Sequence, residues 1–592
     1  MLPDDPLCRI LRVDLSRRTF SVERRPELFD ELLGGTGVGV RLLAEGCPAG
    51  VDPLAPEAVV VLAVGPLTSH LPLMSKAVAL FKSPLTGNLG ESHCGGRTAV
   101  ALRLAGLGAV VITGRSERPL YLAIHGDEVG FRDASALWGA RGTGTVGRVI
   151  REREPGAGLR SIMRIGRAGE RGVRYASVTS ETYRHFGRLG LGAVLGSKGL
   201  KAITISGKRA LPLADFSAYR KLYKETYDMA VETSMMKKYH DLGTAGNVAS
   251  LDRLSALPAK NLTVRRLDGV AQITGEAFAE GYLGRRLACA HCPVGCVHIA
   301  ALRQPYAQEA YFYKTSLISY DYELIYALGA MLGVTDPEGA LRLMDEVEVL
   351  GLDAMSAGVV LAWATEAQQR GLVGTAETDG LALAWGDWQV YLAALDRIVE
   401  QPTPFFEALA LGVDQAAAQY GGSEFALAFG GNEMPGYHTG PAAHVGFLVG
   451  ARHSHLCNAG YSLDQKALSE GRTLEPAGLA TKLIQEESWR QVLSSLVSCF
   501  FARGIYTPEL VSRGLACVGC AGDPAKLEQI GEAIYREKYR YKLREGFTFE
   551  GLRLPARIFE TPSGAGPIDP ELVRQTIACV AAFHQEPRAG NG

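Results

Sequence analysis

The sequence predicts an α+β protein, with a β-rich first part followed by two mainly α-helical parts. Short apolar runs separated by glycine-rich turns fill the first 210 residues, a pattern typical of strands. From about Ala214 onward, segments with the apolar period of helices dominate. At 592 residues the chain is too long for a single core. We therefore expect three domains, over residues 1–210, 211–420 and 421–592.

The predicted strands lie between turns that are rich in glycine. Residues 10–15 alternate apolar and polar side chains, and a Ser-Arg-Arg-Thr turn leads into residues 20–22, which indicates a hairpin. Further strands are predicted over residues 59–64, 77–81, 109–113, 120–124, 161–165 and 201–206. The glycines at 34–37, 95–96 and 187–192 would let a backbone segment approach another segment or a bulky ligand.

Helices are predicted throughout the remainder of the chain. The clearest begins at Thr335-Asp-Pro-Glu, which supplies an N-cap and a proline in the first turn, and it ends at Gly351. The predicted helices span residues 219–232, 335–350, 357–369, 388–399, 404–420, 479–496 and 524–541.

The composition, 47% hydrophobic and 21% charged, is that of a globular protein. A net charge of −1 gives no reason to expect nucleic acid or an anionic membrane as a partner. The acidic start of the chain lacks the pattern of a signal peptide, and the longest clean apolar run, residues 58–64, is too short to span a bilayer. Eleven cysteines are too few for a disulfide scaffold in so long a chain, so we interpret them as reduced thiols and ligands. We expect a cytoplasmic protein.

Three cysteines with C-x2-C-x3-C spacing, Cys289, Cys292 and Cys296, form the strongest local motif. Thiolates so close together can surround one inorganic centre, and they favour an iron–sulfur cluster or zinc over hard cations. A cluster is the stronger prediction, but it needs a fourth ligand and no fourth cysteine lies nearby. His298 would complete a Cys3His zinc site. The thiols that could complete a cluster from farther away are Cys457, Cys499, Cys517 and Cys520.

Several stretches together resemble the aldehyde ferredoxin oxidoreductase family. They are residues 9–16, 82–87, 95–96, 104–109 and 183–202, together with the cysteine triplet. Their order and spacing cover nearly the whole chain. The resemblance implies a β-rich first domain that cradles a cofactor with tungsten or molybdenum on two pterins. It also implies a [4Fe–4S] cluster and Mg²⁺ that bridges the pterin phosphates.

The resemblance implies cofactor-binding residues one position at a time. In the first domain they are Lys76, His93, Gly95, Arg184 and His185. Two family motifs of the form D-x-x-G-L fall on residues 348–353 and 494–499. From the first we expect Glu348, Gly351, Leu352 and Asp353 to bind the pterins, and from the later part of the chain Cys457 and Ser494. Lys76, His93, His185, Glu348, Cys457 and Ser494 depart from the family's residue types.

The resemblance also assigns the cluster and the chemistry. The fourth cluster ligand falls on Cys499, beside Cys289, Cys292 and Cys296. The family's catalytic glutamate falls on Glu323 and its histidine on His455, with His453 as the rival. Apolar neighbours of Glu323 predict a buried carboxylate with a raised pKa, which would make it a competent base near neutral pH.

The function so implied is the oxidation of an aldehyde to a carboxylic acid with water as oxygen source. Electrons would pass through the cluster to ferredoxin or to an iron–sulfur or flavin subunit. A small-molecule substrate and a homodimer are the other expected partners. The departures in the cofactor motifs leave two alternatives open: a reductive enzyme that acts on an aromatic ring or an acyl-CoA, or a metal-free electron-transfer or structural subunit.

Overall fold

The computed structural model describes residue 2, residues 4–306 and residues 309–585. It confirms the α+β class, with the strands concentrated in the first third. The first sheet has six strands in the order β2-β1-β6-β3-β4-β5, of which only β1 and β6 pair in parallel. Its strands are β1 Arg9–Asp14, β2 Thr19–Arg24, β3 Val60–Ala63, β4 Ala77–Lys82, β5 Leu89–Cys94 and β6 Ala109–Thr113.

The second sheet also has six strands, in the order β11-β10-β9-β12-β7-β8. They are β7 Leu120–His125, β8 Glu128–Asp133, β9 Leu159–Ile165, β10 Val178–Ser180, β11 Arg184–Phe186 and β12 Leu200–Gly207. The helices packed around the two sheets are α1 Pro26–Leu32, α2 Gly35–Gly46, α3 Thr98–Leu104, α4 Thr143–Arg153, α5 Arg167–Glu170 and α6 Leu191–Ser197.

The rest of the described chain is mainly helical. Its first helices are α7 Phe216–Glu232, α8 Ser234–Asp241, α9 Asn247–Arg253, α10 Gly275–Gly281, α11 Tyr322–Leu324, α12 Pro337–Leu350, α13 Ala354–Gln369, α14 Trp388–Glu400, α15 Pro404–Ala410 and α16 Val413–Tyr420. The last are α17 Pro441–Val449, α18 Gly460–Glu470, α19 Pro476–Ser495, α20 Pro508–Cys517, α21 Pro524–Arg544, α22 Arg557–Glu560 and α23 Pro570–Gln585.

Two small sheets interrupt this helical part, and neither was predicted. One is a short hairpin of β16 Ala428–Phe429 and β17 Asn432–Glu433. The other has three antiparallel strands, β13 Leu283–Leu287, β14 Val297–Tyr306 and β15 Glu309–Tyr320. The connection between β13 and β14 carries the cysteine triplet, so this sheet holds the triplet loop at both of its ends.

Local sequence signals mark several helix ends. The side chain of Asp336 caps α12, Pro337 occupies the first turn, and Gly351 ends the helix with φ 77°, as predicted. The single helix predicted over residues 404–420 is wrong. The chain forms α15 and α16 instead, because Gly412 lies between them with φ 104°, outside the helical region.

The glycines at 34–37 bring distant backbone segments together, as the sequence predicts. A Cβ atom on Gly35 would lie 2.4 Å from the carbonyl oxygen of Ser494, and one on Gly65 would lie 2.5 Å from that of Ser495. The start of α2 and the segment after β3 therefore pack directly on the end of α19. The larger of two apolar clusters includes residues from Leu7 to Val580, and the smaller one lies against the second sheet around Ile150 and Ile162. The domain boundaries at 210 and 420 stay predictions. Among the described helices, none is both long and apolar enough to cross a membrane.

Candidate active site

A cavity of about 360 Å³ lies where the first two sheets, the triplet loop and the C-terminal helical part meet. Strand β5 contributes Glu91 and His93, and β11 contributes Arg184 and His185. Asp321 and Glu323 enter from the start of α11. The remaining polar and sulfur-bearing side chains are Ser75, Lys76, Ser92, Ser177, Tyr183, Arg188, Thr244, Cys289, Cys292, Cys296, Ser319, Tyr320, Met344, Glu348, Asp353, Met355, Asn432, Arg452, Ser454, His455, Ser498 and Cys499.

The four predicted cluster ligands border this one cavity. Backbone hydrogen bonds hold the two cysteine-bearing segments together through Leu73, whose N–H donates to the His291 carbonyl (3.0 Å) and whose carbonyl accepts from the Cys499 N–H (2.9 Å). Cys517 and Cys520 do not line the cavity. The ionisable groups near the Cys520 thiol are instead the N-terminus, Asp5, Asp30 and Arg103.

The alternative of a Cys3His zinc site does not fit the histidine. Both ring nitrogens of His298 face backbone carbonyls, Nδ1 that of Cys296 at 3.1 Å and Nε2 that of His240 at 3.1 Å. Within the described residues, no three or more histidine, cysteine, aspartate or glutamate side chains converge closely enough to hold a single metal ion. Cysteines spread around a shared cavity favour a multi-atom cluster over a single zinc ion.

Two cations lie beside the first cysteine of the triplet. Burial alone would raise the pKa of the Cys289 thiol, but Arg184, Lys76 and the Gly96 backbone together lower it. Gly95 makes this contact possible. A Cβ atom there would lie 2.7 Å from Cys289 Sγ and 3.2 Å from Lys76 Nζ. The arrangement favours a thiolate at Cys289, the form that binds a metal.

The predicted catalytic pair, far apart in the chain, comes together in the cavity. The Nε2 atom of His455 lies 3.3 Å from Oε1 of Glu323, and the Tyr437 hydroxyl donates to the same oxygen at 3.4 Å. Tyr437 packs its ring against His455 with centroids 5.0 Å apart. Glu323 lies on the single turn of α11, directly before a π-helical segment, Ile325–Ala330, that is wholly buried. The predicted burial of this segment is confirmed.

The predicted rise in the Glu323 pKa is wrong. Burial does raise it, but the hydrogen bond and charge of His455 outweigh burial, so the pKa of Glu323 is lowered. In this part of the cavity, the carboxyl group with a raised pKa is that of Asp321, two residues before Glu323. Burial and the nearby charge of Glu323 raise the pKa of Asp321 to about 6. Sequence reasoning assigned His455 to the site but did not predict its contact with the Glu323 carboxylate, because the two residues lie far apart in the chain.

His453, the rival to His455, faces away from the cavity. Its Nδ1 atom lies 3.3 Å from the Phe447 carbonyl, and its Nε2 atom lies 3.0 Å from Nζ of the buried Lys542. Burial and the charge of Lys542 hold the pKa of His453 well below its usual range. The structure therefore brings His455, and not His453, to Glu323.

Two of the predicted cofactor-binding histidines are paired with carboxylates. The Nε2 atom of His93 lies 2.7 Å from Glu91, and burial lowers the pKa of His93 to about 4, so the imidazole is neutral at pH 7. The Nε2 atom of His185 lies 2.6 Å from Glu348. Both pairs border the cavity. The longer side chain of Glu348, compared with the aspartate expected from the resemblance, reaches His185.

Other predicted cofactor-binding residues divide into two groups. Lys76, Leu352 and Asp353 line the cavity. Gly351, Cys457 and Ser494 do not. Cys457 is buried beside Gly450, and Ser494 is buried at the end of α19. The roles of all these residues in cofactor binding stay predictions.

Sequence reasoning missed Asp321, Arg188 and Arg452 in the lining of the cavity. It also missed Tyr437, which donates a hydrogen bond to Glu323. Three of them lie inside or next to stretches that already pointed to the site. Arg188 donates to Asp353 at 3.1 Å and to the Glu433 carbonyl at 2.7 Å. Its remaining terminal nitrogen is buried without a partner among the described residues. The same is true of Arg184 Nε and His455 Nδ1.

These unpaired buried groups test whether a phosphorylated cofactor fits. A buried donor without a partner is costly, and a bound anion would remove that cost. Guanidinium groups suit phosphate oxygens because they donate two parallel hydrogen bonds. The arginines and the cysteines therefore fit the pterin and cluster groups that the resemblance implies.

Comparison with known families identifies the chain. Residues 10–207 match the model of the aldehyde ferredoxin oxidoreductase N-terminal domain, and residues 221–583 match the model of domains 2 and 3. The chain belongs to the aldehyde ferredoxin oxidoreductase family. It is an oxidoreductase of that type.

Several relatives of this family member have names that describe their activity. It is 30% identical to the tungsten-containing aldehyde ferredoxin oxidoreductases of Pyrococcus furiosus and Thermococcus kodakarensis. Each match covers 96% of this chain and 93% of the relative. It is also 32% identical to the WOR-like subunit of an aliphatic sulfonate oxidoreductase from Pyrococcus furiosus, over 66% of this chain and 64% of that one.

Among solved structures, the family member resembles the active-site complex BamBC of benzoyl-coenzyme A reductase with bound 1,5-dienoyl-CoA. The TM-score is 0.78 at 20% sequence identity, over 98% of this chain and 94% of the other. At this identity the likeness establishes the shared fold alone.

Proposed function

We propose that this protein is a tungsten–pterin enzyme that oxidises an aldehyde to a carboxylic acid with water as the oxygen source. The observation that carries the proposal is the contact of Glu323 with His455 and Tyr437. Glu323 and His455 line a cavity that four cysteines also border. The names of the relatives that match almost the whole chain support both the metal and the substrate class.

Each side chain in that set has a distinct task. Glu323 accepts a proton from the attacking water. Because its pKa is lowered, it is already ionised when substrate arrives. His455 and Tyr437 donate to the same carboxylate oxygen and so fix its direction. The second carboxylate oxygen is left to face the water.

The side chains of the cavity suit each cofactor group chemically. Arg184, Arg188, Lys76 and Arg452 would hold pterin phosphates, with Mg²⁺ as an added bridge. Cys289, Cys292, Cys296 and Cys499 would hold the [4Fe–4S] cluster. When bound, the tungsten–pterin group supplies a Lewis-acidic centre that takes up two electrons. The protein orders the substrate and excludes bulk water around it. A ferredoxin or an iron–sulfur or flavin subunit would then receive the electrons.

The experiment uses protein made without oxygen in a tungstate-supplied host. We expect tungsten, iron and sulfide in the purified protein, and oxidation of aldehydes with a viologen dye as electron acceptor. In ¹⁸O-labelled water, one ¹⁸O atom should enter each carboxylic acid formed. Full iron content without tungsten or molybdenum would contradict the proposal. So would reduction of an aromatic acyl-CoA in the absence of any aldehyde oxidation.

A further inference from the structure

A second cavity, of about 490 Å³, lies on the other side of the wall that carries Cys289. Tyr183, Arg184 and Val297 line both cavities, and Ala288, the residue before Cys289, lines the second. The wall between the cavities is therefore one short piece of the triplet loop and the start of β11.

The mouth of this second cavity is strongly basic. Arg97, Arg151 and Arg285 are exposed, and none forms an ion pair within the part of the chain that the structure describes. The guanidinium of Arg160 donates to backbone carbonyls instead of to a carboxylate. Glu181 is the single carboxylate of the lining, so the arginines around the opening outnumber the acidic side chains.

Unpaired arginines crowded around one opening repel each other, so folding alone does not account for them. Such a cluster instead attracts an acidic partner and speeds its encounter. The charges at the mouth come from four separate segments, at Arg97, Arg151, Arg160 and Arg285. Three of these arginines are exposed at the rim, as in a protein–protein contact, whereas a small-anion site surrounds its ligand with buried cations.

We propose that this arginine-lined cavity is the docking site of a small acidic iron–sulfur protein that accepts the electrons of the reaction. The inference rests on the proposed function and deepens it, because it names the exit side of the same site. One aldehyde and one water give one carboxylic acid, two protons and two electrons. Each electron reduces one oxidised iron–sulfur centre, so two reduced centres on one or two carrier molecules balance one oxidation, and no bond to the carrier forms.

The test reverses two rim charges in the double variant Arg97→Glu/Arg285→Glu. Neither residue belongs to the catalytic cavity. The matched control, Lys482→Glu/Lys526→Glu, makes the same change of charge at exposed positions that line neither cavity. An acidic two-cluster bacterial ferredoxin serves as probe. Its binding is measured by calorimetry at low and high ionic strength, and its reduction is measured beside that of a small cationic viologen dye.

We expect the reversal to weaken ferredoxin binding and slow ferredoxin reduction by at least about tenfold at low ionic strength. High salt should shrink that difference. Viologen reduction should match the wild type, and the control variant should behave as wild type in every assay. The neutral variant Arg97→Gln/Arg285→Gln should show a smaller loss in the same direction.

Unchanged ferredoxin binding in the reversal variant would overturn the inference, as would an equal loss in the control variant. An equal fall in viologen and ferredoxin reduction would overturn it too, because the change would then act on the catalytic cavity. Binding of inorganic tripolyphosphate that the reversal abolishes, without any ferredoxin binding, would assign the cavity to a small anion instead. If the wild type oxidises no aldehyde, the proposed function fails, yet the binding measurement still decides the docking site.

Discussion

Replacing Glu323 with glutamine removes the proposed base and leaves the shape of the side chain almost unchanged. The amide oxygen can still accept from Tyr437 and His455, so the hydrogen bonds at 3.4 Å and 3.3 Å need not be lost. What is lost is the ability to take a proton from water. Loss of a general base slows a reaction by roughly 10²- to 10⁴-fold, which is about 3–5 kcal/mol of activation free energy.

The assay compares kcat/KM for aldehyde oxidation with viologen dye, together with the tungsten and iron content of each preparation. We expect the fall in kcat/KM for Glu323→Gln at unchanged metal content. Glu323→Asp is the matched control, because it shortens the side chain by one carbon and keeps the carboxylate. It should be less impaired than the glutamine variant. A Glu323→Gln enzyme with near wild-type activity would refute the reasoning, and one that lacks tungsten would make Glu323 a structural residue.

The pH dependence gives a second measure of the same pair. The base must be ionised, so activity falls as the pH drops through the pKa of Glu323. His455 holds that pKa below its ordinary value of 4.5, so the acid limb of the wild-type profile should lie below pH 4.5. In His455→Asn the effect of burial is no longer offset to the same extent, and the acid limb should move to higher pH. An acid limb that does not move would show that the two residues are not coupled.

The remaining predictions concern the cluster and the walls of the cavity. Cys499→Ser should lose cluster iron and sulfide while Cys517→Ser keeps them, and the reverse result would make Cys517 the fourth ligand. Lys538→Met removes the closest cation from the buried carboxylate of Glu91. It should lower the free energy of unfolding by about 3–5 kcal/mol, measured by chemical denaturation of the apoprotein. A loss below about 1 kcal/mol would contradict this prediction. Gly95→Ala places a methyl group 2.7 Å from Cys289 Sγ and should reduce the iron content. The control Gly144→Ala, whose new methyl group has no atom within 4 Å, should keep it. Equal iron content in both variants would show that the close contact is unimportant.

The sequence by itself determined the features that depend on neighbouring residues. The spacing of Cys289, Cys292 and Cys296 indicated a thiolate-bound centre because the chain between them is short. The N-cap and the final glycine of α12 were readable for the same reason: a helix end is satisfied by groups within a few residues of it. The apolar run after Glu323 correctly predicted that this segment is buried.

Only the tertiary structure decided the features that depend on residues far apart in the chain. No local pattern distinguishes His455 from His453, but one imidazole reaches Glu323 and the other reaches Lys542. Burial of a carboxylate can be predicted from its neighbours in sequence, whereas the histidine that reverses the effect of burial on its pKa cannot. The basic cavity behind Cys289 likewise combines arginines from separate segments. The sequence gives the charge of each side chain, but the fold sets the distance between charges, and that distance decides the chemistry.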